Sequence, residues 1–115
     1  MKALLLSCML LFLMGCVDPC DNKVINSALS PDQSKYAVSF HRDCGATTGF
    51  NTQISIFNSK NDLPNKSGNT LIIDGQASFE LLWQSSSKLV VKGGLNDTVF
   101  LQEYFVNGVQ VVYAK

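Results

Sequence analysis

The chain has 115 residues, with nine basic and nine acidic side chains and a formal net charge of zero. The sequence has no cluster of basic residues that would indicate nucleic-acid binding, and no acidic tail that would indicate a basic partner. The length predicts one small domain around a single hydrophobic core.

The N-terminus has the pattern of an export signal. Lys2 precedes an apolar run at residues 3–14, which is shorter than the roughly 20 residues that a membrane-spanning helix needs. The run leads into Leu13-Met14-Gly15-Cys16, whereas an ordinary signal ends in small residues of the Ala-x-Ala type. The alternative interpretation is an uncleaved membrane anchor in which the cysteine occurs by chance.

Leu-x-Gly-Cys after a short apolar core resembles the lipobox of bacterial lipoproteins. The resemblance implies that residues 1–15 are a signal peptide and that the Cys16 thiol carries a diacylglycerol. Several acyl chains exceed the single-chain threshold for stable anchoring, so the mature protein is expected to be held at a membrane without crossing it. Under the Gram-negative sorting rule that the resemblance implies, an aspartate after the cysteine would retain the protein at the inner membrane. Val17 therefore implies the outer membrane and a periplasm-facing domain, whereas the rule would not apply to a Gram-positive source.

The cysteines predict one disulfide. Of the four, Cys8 belongs to the signal and Cys16 to the lipid anchor, which leaves Cys20 and Cys44 in an oxidising compartment. Closing a loop of this length contributes on the order of 3 kcal/mol. The alternative is a pair of free or metal-bound thiols.

Residues 16–22 are interpreted as the lipidated cysteine and a short tether, and residues 23–115 as a single β domain. Strands are predicted at residues 23–30, 35–42 and 52–57. The second of these alternates Tyr36, Val38 and Phe40 against Ala37, Ser39 and His41, which is the period of a half-buried strand. Residues 58–69 are polar and predict an exposed loop.

The second half of the chain continues the strand pattern. Strands are predicted at residues 70–74, 79–83, 88–92 and 97–106, the last being the longest. Asn107-Gly108 predicts a type I′ hairpin turn, after which residues 109–113 pair back. The sequence therefore predicts an all-β fold of about eight antiparallel strands, in a meander, sandwich or partly open barrel, after an N-terminal signal helix.

The most distinctive stretch of the domain is Cys44-Gly45-Ala46-Thr47-Thr48-Gly49-Phe50. It is similar to the core of a group of small, uncharacterised bacterial proteins, and the similarity implies a shared fold and no particular activity. Its glycines permit backbone geometry closed to other residues, and its threonines can bond the loop to itself. We interpret the stretch as a disulfide-pinned loop. The alternative is a binding loop made of Thr47, Thr48, Phe50 and Asn51.

His41 is the only histidine, and with Cys44 it suggests a thiol enzyme in which the imidazole is the base. On an extended strand, however, His41 and Asp43 share a face and Cys44 points away. The predicted disulfide would also remove the nucleophile. A zinc site from His41, Asp43, Cys44 and Cys20 has suitable ligands but lacks the usual spacing. We therefore predict no catalytic residue, metal or cofactor.

The sequence favours a lipid-anchored, non-enzymatic β domain of the bacterial envelope. Its expected partners are the membrane, through Cys16, and another protein or an envelope component, with no nucleic acid. An inhibitor or immunity-type lipoprotein would also have this size, anchor and disulfide. The alternative from another class is a small envelope hydrolase or thiol enzyme using His41, which a free Cys44 would favour.

Overall fold

The computed structural model describes residues 19–45, 49–60, 63–95 and 98–115. The signal helix and the lipidation site Cys16 lie outside these ranges. Within the ranges the fold is all-β, and no helix is long and apolar enough to cross a membrane. The strands are β1 (Asp21–Leu29), β2 (Tyr36–Asp43), β3 (Phe50–Phe57), β4 (Leu71–Asp74), β5 (Glu80–Ser85), β6 (Lys88–Lys92), β7 (Val99–Gln102), β8 (Phe105–Val106) and β9 (Val109–Ala114).

The strands form two sheets. The first has the order β1-β2-β3-β4-β7 and the second the order β5-β6-β9-β8. This confirms the all-β prediction, with one correction to the expected antiparallel pairing. β6 and β9 are parallel, because the chain crosses to the first sheet through β7 before it returns to the second.

The longest predicted strand, residues 97–106, is instead two short strands in different sheets. β7 pairs with β4 and β8 pairs with β9. Between them, the Glu103 N–H donates to the Thr70 carbonyl at 2.8 Å, and the Tyr104 carbonyl accepts from the Val111 N–H at 2.9 Å. The turn that follows is as predicted, with positive φ at both Asn107 (50°) and Gly108 (78°).

The apolar core lies between the sheets. Its buried residues are Ala37, Ile54, Ile56, Leu71, Ile73, Phe79, Leu89, Val91, Val109 and Val111. Trp83 packs against this core, and its indole N–H donates to the Ala28 carbonyl at 3.0 Å, which joins β5 to β1. On the other side Tyr113 donates its hydroxyl to the Glu103 carbonyl at 2.6 Å. Hydrogen bonds therefore link the second sheet to β1 and to the segment between β7 and β8.

The outer face of the first sheet is covered as well, so the half-buried interpretation of β2 is wrong. Val38 and Phe40 lie on that face, opposite Ser55 and Gln53 of β3, and both are fully buried. Residues 63–70, which we call the covering loop, cross it. The Gln53 side chain accepts from the Gly68 N–H at 2.6 Å. Residues 64–67 of the loop are exposed, as predicted, whereas Gly68 and Thr70 are buried.

Candidate functional site

The predicted disulfide is present at one end of the first sheet. Cys20 and Cys44 are bonded to each other, with their Cα atoms 3.8 Å apart. They lie directly beyond the last residue pair of the β1–β2 hairpin, Asp21 with Asp43. We call this end, formed by Asp21, Asp43 and Phe50, the tether end. The disulfide fixes the point where the tether enters the domain to the end of β2.

A polar network supports the tether end from the covering-loop side. The Arg42 guanidinium, 8 % exposed, donates to the Asn22 side-chain oxygen at 2.7 Å and to that of Asn65 at 3.0 Å. The Asn65 amide donates in turn to the Cys20 carbonyl at 2.9 Å. These bonds hold the hairpin and the covering loop together behind the disulfide.

On the opposite face the tether end opens into a cleft of about 280 Å³. Its lining side chains come from β1, β2, the start of β3 and the linker after β4, and we call it the tether-end cleft. They are Asp21, Lys23, His41, Asp43, Phe50 and Gln76. Asp21 is paired with Asp43, and Lys23 with His41. Directly paired residues of antiparallel strands share a face, which explains why these four side chains meet.

One wall of the cleft is the linker from β4 to β5. The Thr52 hydroxyl donates to the Gly75 carbonyl and accepts from the Ala77 N–H, both at 2.8 Å. The Gly75 N–H donates to the Phe50 carbonyl at 3.0 Å. These three bonds fix the linker to β3 on both sides of Gln76, and so hold that side chain at the cleft.

The cleft carries charged side chains of both signs. Asp21 and Asp43 stand directly opposite each other, and like charges in this position destabilise a strand pair. The Asp43 carboxylate accepts from the Gly45 N–H at 3.0 Å. Lys23 supplies one positive charge beside them, and the Phe50 ring, 47 % exposed, adds an apolar surface.

The structure brings together some of the residues singled out from the sequence. His41, Asp43 and Phe50 all line the cleft. Asn51 lies on the opposite face, paired with Arg42 and Asp74. Thr47 and Thr48, the other residues of the proposed binding loop, lie outside the described residues.

Sequence reasoning missed Asp21, Lys23 and Gln76. Two of them could have been found, because a Cys20–Cys44 bridge at the end of a hairpin sets Asp21 opposite Asp43 and Lys23 opposite His41. Gln76 carries no local signal, since the linker reaches the cleft only through its bonds to Thr52 and Phe50.

The side chains near the cleft that could act as nucleophiles, bases or metal ligands are placed as follows. Cys44 is held in the disulfide, and the nearby Ser39 hydroxyl is fully buried without a hydrogen-bond partner. His41 has Nε2 at 3.4 Å from the Ala77 carbonyl. Among the described residues no three His, Cys, Asp or Glu side chains form a group that could hold a metal ion.

Two carboxylates, an ammonium group, an amide and an aromatic ring around a small cleft suit a ligand with polar groups of both charges. Comparison with protein-family models, with curated proteins and with solved structures finds no match to this chain, so the interpretation of the cleft depends on its own geometry.

Proposed function

We propose that the chain is a lipid-anchored protein of the bacterial envelope whose β domain is a non-enzymatic binding module. In this proposal residues 1–15 are removed and Cys16 carries the lipid. Residues 16–20 form the tether, because β1 begins at Asp21, and the domain faces the periplasm from the outer membrane. The binding site is the tether-end cleft.

The position of this cleft supports the proposal most strongly. Cys16 and Cys20 are separated by four residue steps, and an extended chain spans at most about 3.3–3.6 Å for each. A lipid on Cys16 would therefore lie within roughly 14 Å of the disulfide. Because Cys20 is bonded to Cys44, the tether cannot lengthen by fraying of β1, and the cleft would stay close to the membrane.

The disulfide bond of Cys44 supports the non-enzymatic part of the proposal. A cysteine nucleophile must be a free thiolate, and Cys44 is bonded to Cys20. The remaining groups of the cleft can hold a charged or polar ligand without forming a covalent intermediate. An oxidised Cys44 therefore favours the binding module over a thiol enzyme using His41.

The test is the intact mass of the protein extracted from membranes, with thiols alkylated before or after reduction. We expect an acylated chain that begins at Cys16 and takes up two alkyl groups only after reduction. A Cys16→Ser variant, the matched control, should remain unlipidated and leave the membrane fraction. An unlipidated wild-type mass would refute the anchor, and alkylation without reduction would restore the thiol-enzyme interpretation.

A further inference from the structure

We propose that the tether-end cleft binds the phosphoethanolamine headgroup of a membrane phospholipid. The inference rests on the proposed function, because the anchor brings the cleft to the membrane. It adds a second, non-covalent membrane contact. The groups of the cleft match this headgroup, which carries a primary ammonium and a phosphate two carbons apart.

The ammonium is matched by Asp21, Asp43 and Phe50. A primary ammonium has three N–H donors, and charge-assisted bonds to two carboxylates would use them well. A cation also binds favourably over an aromatic face, and half of the Phe50 ring is exposed.

The phosphate is matched by Lys23 and Gln76. Lysine acts as a point charge for phosphate, and a side-chain amide donates hydrogen bonds. Lys23 is two residues from Asp21 on the same face of β1, and both line the cleft. The cleft therefore presents its positive and negative groups side by side, as a zwitterionic headgroup requires.

The same groups discriminate between headgroups. A choline ammonium is fully methylated and has no N–H to donate, so it would lose the bonds to Asp21 and Asp43 and keep only the contact with Phe50. A glycerol headgroup has no cation and would meet two carboxylates. The cleft is therefore expected to prefer ethanolamine lipids.

The tether makes even a weak site effective. A short flexible link raises the effective concentration of the second binding partner to the millimolar range, and headgroups are present throughout the membrane surface. A shallow cleft of about 280 Å³ would then hold the domain in one orientation on the membrane. The covering loop, on the opposite face of the first sheet, would remain accessible.

The test uses the lipidated mature protein, which begins at Cys16, in neutral detergent micelles, titrated with glycerophosphoethanolamine. The readouts are the NMR signals of the His41 ring and the Gln76 side-chain amide. We expect glycerophosphoethanolamine to cause saturable chemical-shift changes in these signals. Glycerophosphocholine should bind at least tenfold more weakly. Asp21→Asn and Asp43→Asn should each weaken binding about tenfold or more, since each removes a charge-assisted bond.

The aspartate variants are chosen to remove one negative charge each while the structure is preserved. Asp43→Asn keeps the side-chain oxygen that accepts from Gly45, so the hairpin end is preserved. Asp74→Asn is the control, because it removes the same charge from an exposed residue of β4 that does not line the cleft. Binding in Asp74→Asn should equal that of the wild type.

Three results would overturn the inference. The first is the absence of saturable shifts, and the second is equal weakening by Asp74→Asn and Asp43→Asn, which would indicate general surface charge only. The third is equal or tighter binding of glycine, which would indicate a site for soluble or peptide-borne amino acids. A protein lipidated at Cys16 that fails to bind would refute this inference alone. A wild-type protein that is extracted without lipid and still binds would refute the anchor alone.

Discussion

The outer faces of the two sheets carry apolar residues in similar positions, but only the first is closely covered. On the first sheet, Val38 and Phe40 are fully buried beneath the covering loop. On the second sheet, Leu82, Val90 and Val112 are paired in one row across three strands. There Leu82 is 43 % exposed, and the two valines are half-buried.

This contrast shows that a polar segment can cover an apolar sheet face. The covering loop contains two asparagines, one serine and one glycine among its eight residues and is attached by hydrogen bonds. Ser55 accepts from the Asn69 N–H at 3.1 Å. The Asn69 side chain accepts from the Ile56 N–H and donates to the Ile56 carbonyl, both at 2.9 Å. It thereby replaces a strand partner for β3.

The largest expected effect is that of Phe40→Ala. Truncation of a fully buried phenylalanine costs about 3–5 kcal/mol, because transfer free energy is lost and a cavity remains. The matched change on the second sheet, Leu82→Ala, should cost less than about 1 kcal/mol, since much of that side chain is already in water. Urea unfolding of the two variants measures the comparison, and equal losses would show that the second face is covered too.

Gly68→Ala should be next in size. A Cβ at this position would lie 2.8 Å from the Ile54 carbonyl oxygen and 3.1 Å from the Gln53 Cβ. Overpacking of this kind costs about 1–3 kcal/mol, and a shift of the loop would weaken the bond from the Thr70 N–H to the same carbonyl. Ser67→Ala, at the exposed neighbouring residue, is the control for unfolding measurements and should be close to neutral.

Asn22→Ala should loosen the same loop more mildly. The Asn22 amide donates to the Pro64 and Lys66 carbonyls at 3.1 and 2.9 Å, and its oxygen accepts from Arg42. We expect a loss of about 1 kcal/mol, together with faster cleavage of the covering loop by protease. Gln110→Ala, exposed on the second sheet, should change neither quantity. Unchanged cleavage in Asn22→Ala would mean that Asn22 does not hold the loop.

The covering of the first sheet also explains which features could be predicted from the sequence. Alternation correctly grouped Tyr36, Val38 and Phe40 on one face of β2. It could not show that the small residues Ala37 and Ser39 face the second sheet, while the large ones face a loop. A local pattern records the period of a strand but not what packs on each side.

Strand partners are equally absent from local patterns. Residues 88–92 and 109–113 were correctly predicted as strands, yet nothing in either stretch indicates that they pair in parallel. The candidate site shows the same limit. His41, Asp43 and Phe50 stand out from the sequence, whereas Gln76 joins them only through a linker whose bonds are set by tertiary structure.

The smallest expected effect concerns Asp32, which lies in the turn between β1 and β2 and contacts the turn between β5 and β6. The Asp32 carboxylate accepts from the Ser34 hydroxyl at 2.7 Å, the Ser34 N–H at 3.0 Å and the Ser30 hydroxyl at 2.8 Å. The Asp32 N–H donates to the Ser86 hydroxyl of the β5–β6 turn at 3.2 Å. Hydrogen bonds, first those from Ser34, hold the pKa of Asp32 well below its usual range.

Because the folded-state pKa is lowered, the ionised carboxylate stabilises the folded protein above the unfolded-state pKa of about 3.9. This stabilisation is lost as the pH falls from that value through the folded-state pKa. The stability difference between wild type and Asp32→Asn should thus be constant above about pH 5 and shrink below pH 4. Urea midpoints measured across this range test the expectation. Ser34→Ala should reduce the pH dependence more than Ser86→Ala, and the reverse order would mean that the inter-sheet contact, and not the turn, controls Asp32.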